Sequence, residues 1–171
     1  MKKLIIILSI LTTIIIFLNK DTTRRIGINY NIVEYKIPIY LKISDFLNRH
    51  YNYEHLVNKI NSDKRYLNEN ILNTAKWVNE NIQKLPEGVD VIDYHPLTIV
   101  QRRLGVQDQF NDILSVLLIY LNVDSFFIEK FNNIDHALTF FKINNYWSVI
   151  DPYYGIYFIN EDNKFASLEE L

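Results

Sequence analysis

His136 and Asp151 stand on either side of Asn144-Asn145, a pair with the composition of a two-residue hairpin turn. If that pair is the turn, Ile143 pairs with Tyr146 and Asp151 falls opposite Leu138. His136 and Asp151 are then diagonal neighbours on one face of a sheet. A carboxylate in that position fixes the tautomer and orientation of an imidazole, which prepares a histidine to take a proton from a nucleophile or from water. The plainer reading is a half-buried strand histidine and an aspartate that merely opens the turn at Pro152, a frequent role for Asp. A turn of another length would slip the register and separate the two.

The residue types at 105–110, Gly105-Val106-Gln107-Asp108-Gln109-Phe110, supply the other half of a possible site. From Phe110 the apolar residues fall at 110, 113, 114, 117, 118 and 121, the period of a helix, and Val116, Ile119 and Tyr120 leave almost no polar face. A helix of this kind is buried, and its first backbone N–H groups need partners. A tight turn at Gly105 followed by Gln107, Asp108 and Gln109 puts hydrogen-bonding side chains at that end, where the helix dipole also favours negative charge.

The elements that must position these residues follow from local patterning. Ser44 reads as an N-cap for a helix over 45–60 burying Leu47, Tyr51, Val57 and Ile60. A second helix over 69–83 carries Ile71, Leu72, Ala75, Val78 and Ile82 and ends before Leu85-Pro86-Glu87-Gly88. Pro96 suits the first turn of a short third helix with Leu97, Val100 and Leu104. After the central helix the period changes to that of strands, over 123–131, 136–143, 146–151 and 156–159. Helices first and strands afterwards predict an α+β fold, with a buried central helix packed on a small antiparallel sheet. Residues 28–42 are rich in tyrosine and β-branched side chains, and Pro38 confines any strand there to an edge.

At 171 residues, 49% hydrophobic, the chain has material for one domain with a core and an appendage. A net charge of -2 with scattered basic pairs gives no basic face and excludes nucleic acid as a partner class. The absence of cysteine excludes disulfides, thiolate-ligated metals and thiol catalysis. His50 and His55 miss the i, i+4 spacing of a helical metal site, and no motif calls for a cofactor. Asp93-Tyr94-His95 offers a possible site-rim residue but reads equally as the lead into Pro96.

Met1-Lys2-Lys3 followed by an apolar run over 4–18, broken only by Ser9, Thr12 and Thr13, has the form of an export leader. Its length, about 22 Å as a helix, favours a cleaved signal peptide over a span. The lack of small cleavage-site residues after Leu18 favours an uncleaved anchor, and the balance falls on the anchor. Residues 19–27 read as a polar linker, leaving 28–171 as the domain, outside the cytoplasm.

The central helix with Gln107 at its approach, the strand opened by His136-Ala137, and Tyr146-Trp147-Ser148-Val149-Ile150-Asp151-Pro152 together resemble the three sequence blocks of the transglutaminase-like superfamily, relatives of the papain-like thiol enzymes. Those blocks are G-x-C leading into a helix, H-A/V-W, and W-x-x-x-D-P. The resemblance covers roughly residues 60–171. Upstream it extends to Ala75-Lys76-Trp77-Val78-Asn79-Glu80-Asn81-Ile82, and the closing Ser167-Leu168-Glu169-Glu170-Leu171 looks like the tail of bacterial members. It implies that His136 stands at the catalytic histidine, Asp151 at the orienting aspartate and Gln107 at the nucleophile, with Leu138 where the family often has tryptophan.

That substitution implies the fold without the reaction, because a carboxamide has no nucleophilic lone pair at ordinary pH. The expected function is a non-catalytic binding or scaffold module of the cell envelope, tethered or exported, taking a peptide, glycopeptide or other amide-bearing ligand. Asp108, Gln109, Trp147 and Tyr153 are the candidate binding residues. The alternatives are an amide hydrolase or transferase using His136 and Asp151 with water, and a purely structural domain.

Overall fold

The computed structural model describes residues 2–26, 33–61, 66–91, 95–130 and 136–171. The chain divides into two compact units, residues 1–51 and 52–171.

The first unit begins with helix α1 (Lys2–Leu18), 17 residues in which no side chain is buried. Thr12 and Thr13 donate their hydroxyls to the carbonyls of Leu8 and Ser9, which hides two of its polar groups. Strands β1 (Asp21–Ile26) and β2 (Val33–Pro38) form a two-stranded antiparallel ribbon. Much of the stretch expected to be linker is therefore strand. It is fastened by polar contacts, Arg25 to Glu34 and Arg24 to Asp45, each at 2.6 Å. Pro38 closes β2, at an edge as its missing N–H requires.

Helix α2 (Ile39–Ile60) starts directly after Pro38, so Ser44 lies inside the helix and does not cap it. Its buried stripe is Tyr53 and Val57, whereas Leu47 and Tyr51 are exposed. Of the four residues expected on its buried side only Val57 is buried, because only the C-terminal part of α2 packs on the core.

The second unit holds the core. Helix α3 (Leu67–Asn81) buries Ile71, Ala75 and Val78, and Ile82 follows it as an extended, buried C-cap. A two-residue strand, β3 (Gln83–Lys84), runs parallel to β4 (Leu104–Gly105), bracketing helix α4 (Pro96–Arg102). Helix α5 (Gln107–Tyr120) is the centre, with Phe110, Ile113, Leu114, Leu117 and Leu118 removed from solvent. Ile119, expected to be buried, is 54% exposed, so α5 does have one open side.

Strands β5 (Ser125–Ile128), β6 (Leu138–Ile143), β7 (Tyr146–Asp151) and β8 (Ile156–Tyr157) form an antiparallel sheet in that order. Phe141, Ile143 and Ile150 from this sheet join the α5 residues in one core. The architecture is the expected α+β arrangement. Asn144 and Asn145 both take left-handed backbone (φ 49° and 71°), as a two-residue hairpin turn demands.

Candidate functional site

The end of α5 is shaped by the segment before it. Arg103, at φ 56°, makes the left-handed turn that ends α4, while Gly105 is needed for closeness. A Cβ at Gly105 would lie 3.2 Å from both Ile99 Cγ2 and Gln109 Oε1. The tight turn expected at Gly105 thus sits at Arg103. Val106 leads into the helix, and its N–H donates to Gln109 Oε1 at 3.2 Å. Asp108 Oδ1 accepts the N–H of Gln109 at 2.9 Å. Gln109, 6% exposed, closes the helix end and does not project into a groove. Gln107 does not cap the helix; its amide projects towards His136.

The hairpin has the register its turn dictates, from Ile143 opposite Tyr146 to Thr139 opposite Ile150. That brings the ends of β6 and β7 together, and His136 Nε2 lies 2.7 Å from Asp151 Oδ2. The other carboxylate oxygen, Oδ1, accepts the backbone N–H groups of Tyr153 and Tyr154 at 2.9 and 3.1 Å. Asp151 is 4% exposed, so a buried charge is matched by one imidazole and two amide donors.

Gln107 completes the row. Its amide Nε2 is 2.9 Å from His136 Nδ1 and 3.4 Å from His136 Nε2. One amide nitrogen this near to both ring nitrogens lies over the face of the ring and not in line with the Nδ1 lone pair. In the neutral ring the Asp151 contact calls for the proton on Nε2, which leaves Nδ1 as an acceptor. A thiol at position 107 would meet the imidazole at the same nitrogen and could pass it a proton. The carboxamide cannot, because its nitrogen lone pair is delocalised into the carbonyl.

Three further residues, Asn111, Tyr154 and Lys84, support the site. Asn111, fully buried one turn into α5, donates from Nδ2 to the carbonyls of Gln107 (2.9 Å) and Ala137 (3.1 Å), and its Oδ1 accepts the Thr139 hydroxyl at 2.8 Å. It fastens the start of α5 to the residue after His136. A polar residue on an otherwise apolar helix was its only signal. Tyr154 stacks on the His136 ring at 5.8 Å with 9° between planes. Lys84 places its ammonium 4.2 Å from the Tyr153 ring centre and 4.8 Å from that of Tyr154, a contact between distant segments that has no local sequence signature.

Tyr153, a candidate from sequence, packs edge-on against Phe110 and so bridges site and core. Trp147 is not brought to the site. It pairs with Lys142 nearer the hairpin turn, about 13 Å along β7 from Asp151, and packs against Phe126. Asp93 and Tyr94 lie outside the described residues, while His95 caps α4 by accepting the Leu97 N–H. Among the described residues no group of His, Asp and Glu has the geometry of a metal site.

Residues 51–164 match the model of a family described as a transglutaminase-like domain. Among solved structures, the chain is similar to a candidate cysteine protease from Cytophaga hutchinsonii, with TM-score 0.52 and 17% identity over 67% of this chain. The chain spans 40% of the length of that protein, and the likeness is one of fold. No curated protein matches the sequence. Across the matched region, position 107 carries an amide side chain at the amino end of the buried helix.

Proposed function

Because the chain belongs to the transglutaminase-like domain family and contains no cysteine, we propose that it is a non-catalytic member, a binding or scaffold module built on the frame of a thiol enzyme. The observation that carries this reading is the Gln107 amide on His136 Nδ1 at 2.9 Å, with Asp151 on Nε2 at 2.7 Å. The amide nitrogen stands against the imidazole where a nucleophile would have to stand. Asp108, the nearest carboxylate along the chain, accepts a backbone N–H of its own helix, which argues against its activating water.

The ligand in this reading bears amides. Gln107 retains a carbonyl oxygen for an incoming N–H, and the Tyr154 ring beside His136 offers a flat apolar wall 56% exposed to solvent. The test is turnover. Purified protein should release no ammonia or amine above blank from glutamine-containing peptides, with or without a lysine-containing acceptor. Turnover that disappears in His136→Ala would overturn the proposal and establish the hydrolase or transferase alternative.

The proposal includes placement outside the cytoplasm, at the cell envelope. It is supported by the two lysines that open α1 and by the exposed apolar side chains along it. No helix among the described residues is long and apolar enough to cross a membrane, and 17 residues reach only about 25 Å. The reading is therefore export or tethering by α1, without a full span by this helix alone. Sedimentation with lipid vesicles that is lost on deletion of residues 2–18 supports tethering, and equal sedimentation of both forms refutes it.

A further inference from the structure

The net charge of -2 conceals an uneven distribution. Residues 1–51 carry eight Lys and Arg against three Asp and Glu, a net +5, whereas residues 52–171 carry ten against seventeen, a net -7. The basic unit is also the one with its apolar side chains outside. In the part of α2 that belongs to it, Tyr40, Ile43, Phe46, Leu47 and Tyr51 fall at the spacing of one helical stripe. All five are exposed, Phe46 by 58% and Tyr51 by 61%.

The stripe points outward because the helix is held by its polar side. Asp45 accepts from Arg24 of β1 at 2.6 Å, and Lys42 Nζ donates to the Thr23 carbonyl at 2.8 Å. A helix packed by its polar side leaves its apolar side without a partner in water. Basic groups border that side. Lys42 and Arg49 lie four residues before and three after Phe46, so both are its neighbours on the helix surface. Neither is in an ion pair among the described residues, and the only carboxylate between them, Asp45, is neutralised by Arg24.

We propose that this stripe of α2 lies in the surface of an anionic lipid bilayer. Ile43, Phe46 and Leu47 enter the boundary of the acyl chains, and Tyr40 and Tyr51 stay at headgroup level. Lys42, Arg49 and the net +5 of the unit are attracted to anionic headgroups. Nucleic acid would use the same charge but leave the stripe in water. A second copy would bring like charge against like charge. The inference deepens the membrane reading of the first unit, on which it rests, by adding a second contact to that of α1. Two contacts of one unit on one surface hold far more strongly than either alone.

The test exploits the absence of native cysteine. In the full chain, Leu47→Cys on the stripe and Asn48→Cys on the other side of the helix are each labelled with an environment-sensitive fluorophore. Both side chains are exposed, so neither substitution empties a packed place. The labelled proteins are mixed with vesicles of phosphatidylcholine, alone or with about one third phosphatidylglycerol. Emission at position 47 should shift to the blue on the anionic vesicles, with an affinity at least tenfold above that for the neutral ones, while position 48 keeps the emission of a label in water. Sedimentation with vesicles but no shift at position 47 would overturn the inference and leave tethering by α1 intact. A retained shift at position 47, with sedimentation unchanged by deletion of residues 2–18, would refute tethering by α1 and uphold the stripe. Equal affinity for neutral and anionic vesicles, or a shift that needs no vesicles and grows with protein concentration, would each overturn the inference.

Discussion

Gln107, His136 and Asp151 form a row in which the carboxylate accepts from Nε2–H of the neutral ring and the Gln107 amide lies against the ring, 2.9 Å from Nδ1. In Asp151→Asn the side chain can donate to Nε2 instead. The neutral ring should then move its proton to Nδ1, with Gln107 turning its carbonyl to accept it. Nitrogen-15 NMR of the ring reads this directly: Nε2 protonated in the native protein and Nδ1 protonated in the variant. Asn111 is the residue whose loss should be most damaging nearby. Asn111→Leu removes the side-chain donor to the Gln107 and Ala137 carbonyls and leaves the Thr139 hydroxyl only the Asn111 backbone carbonyl at 3.2 Å, and urea denaturation should show a loss of roughly 1–3 kcal/mol. The pairing of His136 with Asp151 was legible in the sequence because Asn144-Asn145 admits a two-residue turn and a register follows from it. The part played by Asn111 was not, since nothing local states which carbonyls it reaches.

At the scale of elements, α5 was legible from its period, as were the four strands of the main sheet. The helix limits of α2 were not. Ile39-Tyr40-Leu41-Lys42-Ile43 has strand-like composition yet forms the first turns of that helix, so propensity lost to context. The ribbon of β1 and β2 escaped because β1 is polar until Ile26, the alternation of Val33-Glu34-Tyr35-Lys36-Ile37 in β2 faces no buried core, and the fastening ion pairs leave no period. Gly105 was recognised as a special position for a mistaken reason, since what it avoids is a collision and not a forbidden backbone. Gly105→Ala would push on Ile99 Cγ2 and on the Gln109 oxygen that accepts the Val106 N–H. The expected loss is about 1–2 kcal/mol in denaturant unfolding, with faster hydrogen exchange at Val106 as the cap loosens.

Across the whole molecule, burial is distributed unevenly. No described side chain of residues 2–51 is buried, whereas residues 52–171 contain the entire described core. Deleting residues 1–38 should therefore change the stability of the remainder by less than about 1 kcal/mol, which is within about 4 °C in melting temperature for a chain of this size. A larger drop would show that the ribbon or α1 contributes to the core unit. The same distribution is compatible with the two tasks proposed above, attachment by the apolar first helix and recognition by the second unit.

The central claim is that the frame of a thiol dyad persists around an amide. The most direct measurement is iodoacetamide labelling against pH in Gln107→Cys, where the introduced thiol is the only one in the chain. With His136 Nδ1 in reach and the α5 N-terminus behind it, the account predicts that labelling rises with a midpoint well below the unperturbed thiol value of about 8.5. The added substitution His136→Ala should return that midpoint towards the ordinary value. Labelling of the single variant at an ordinary or raised midpoint would contradict the account and leave the domain a structural one.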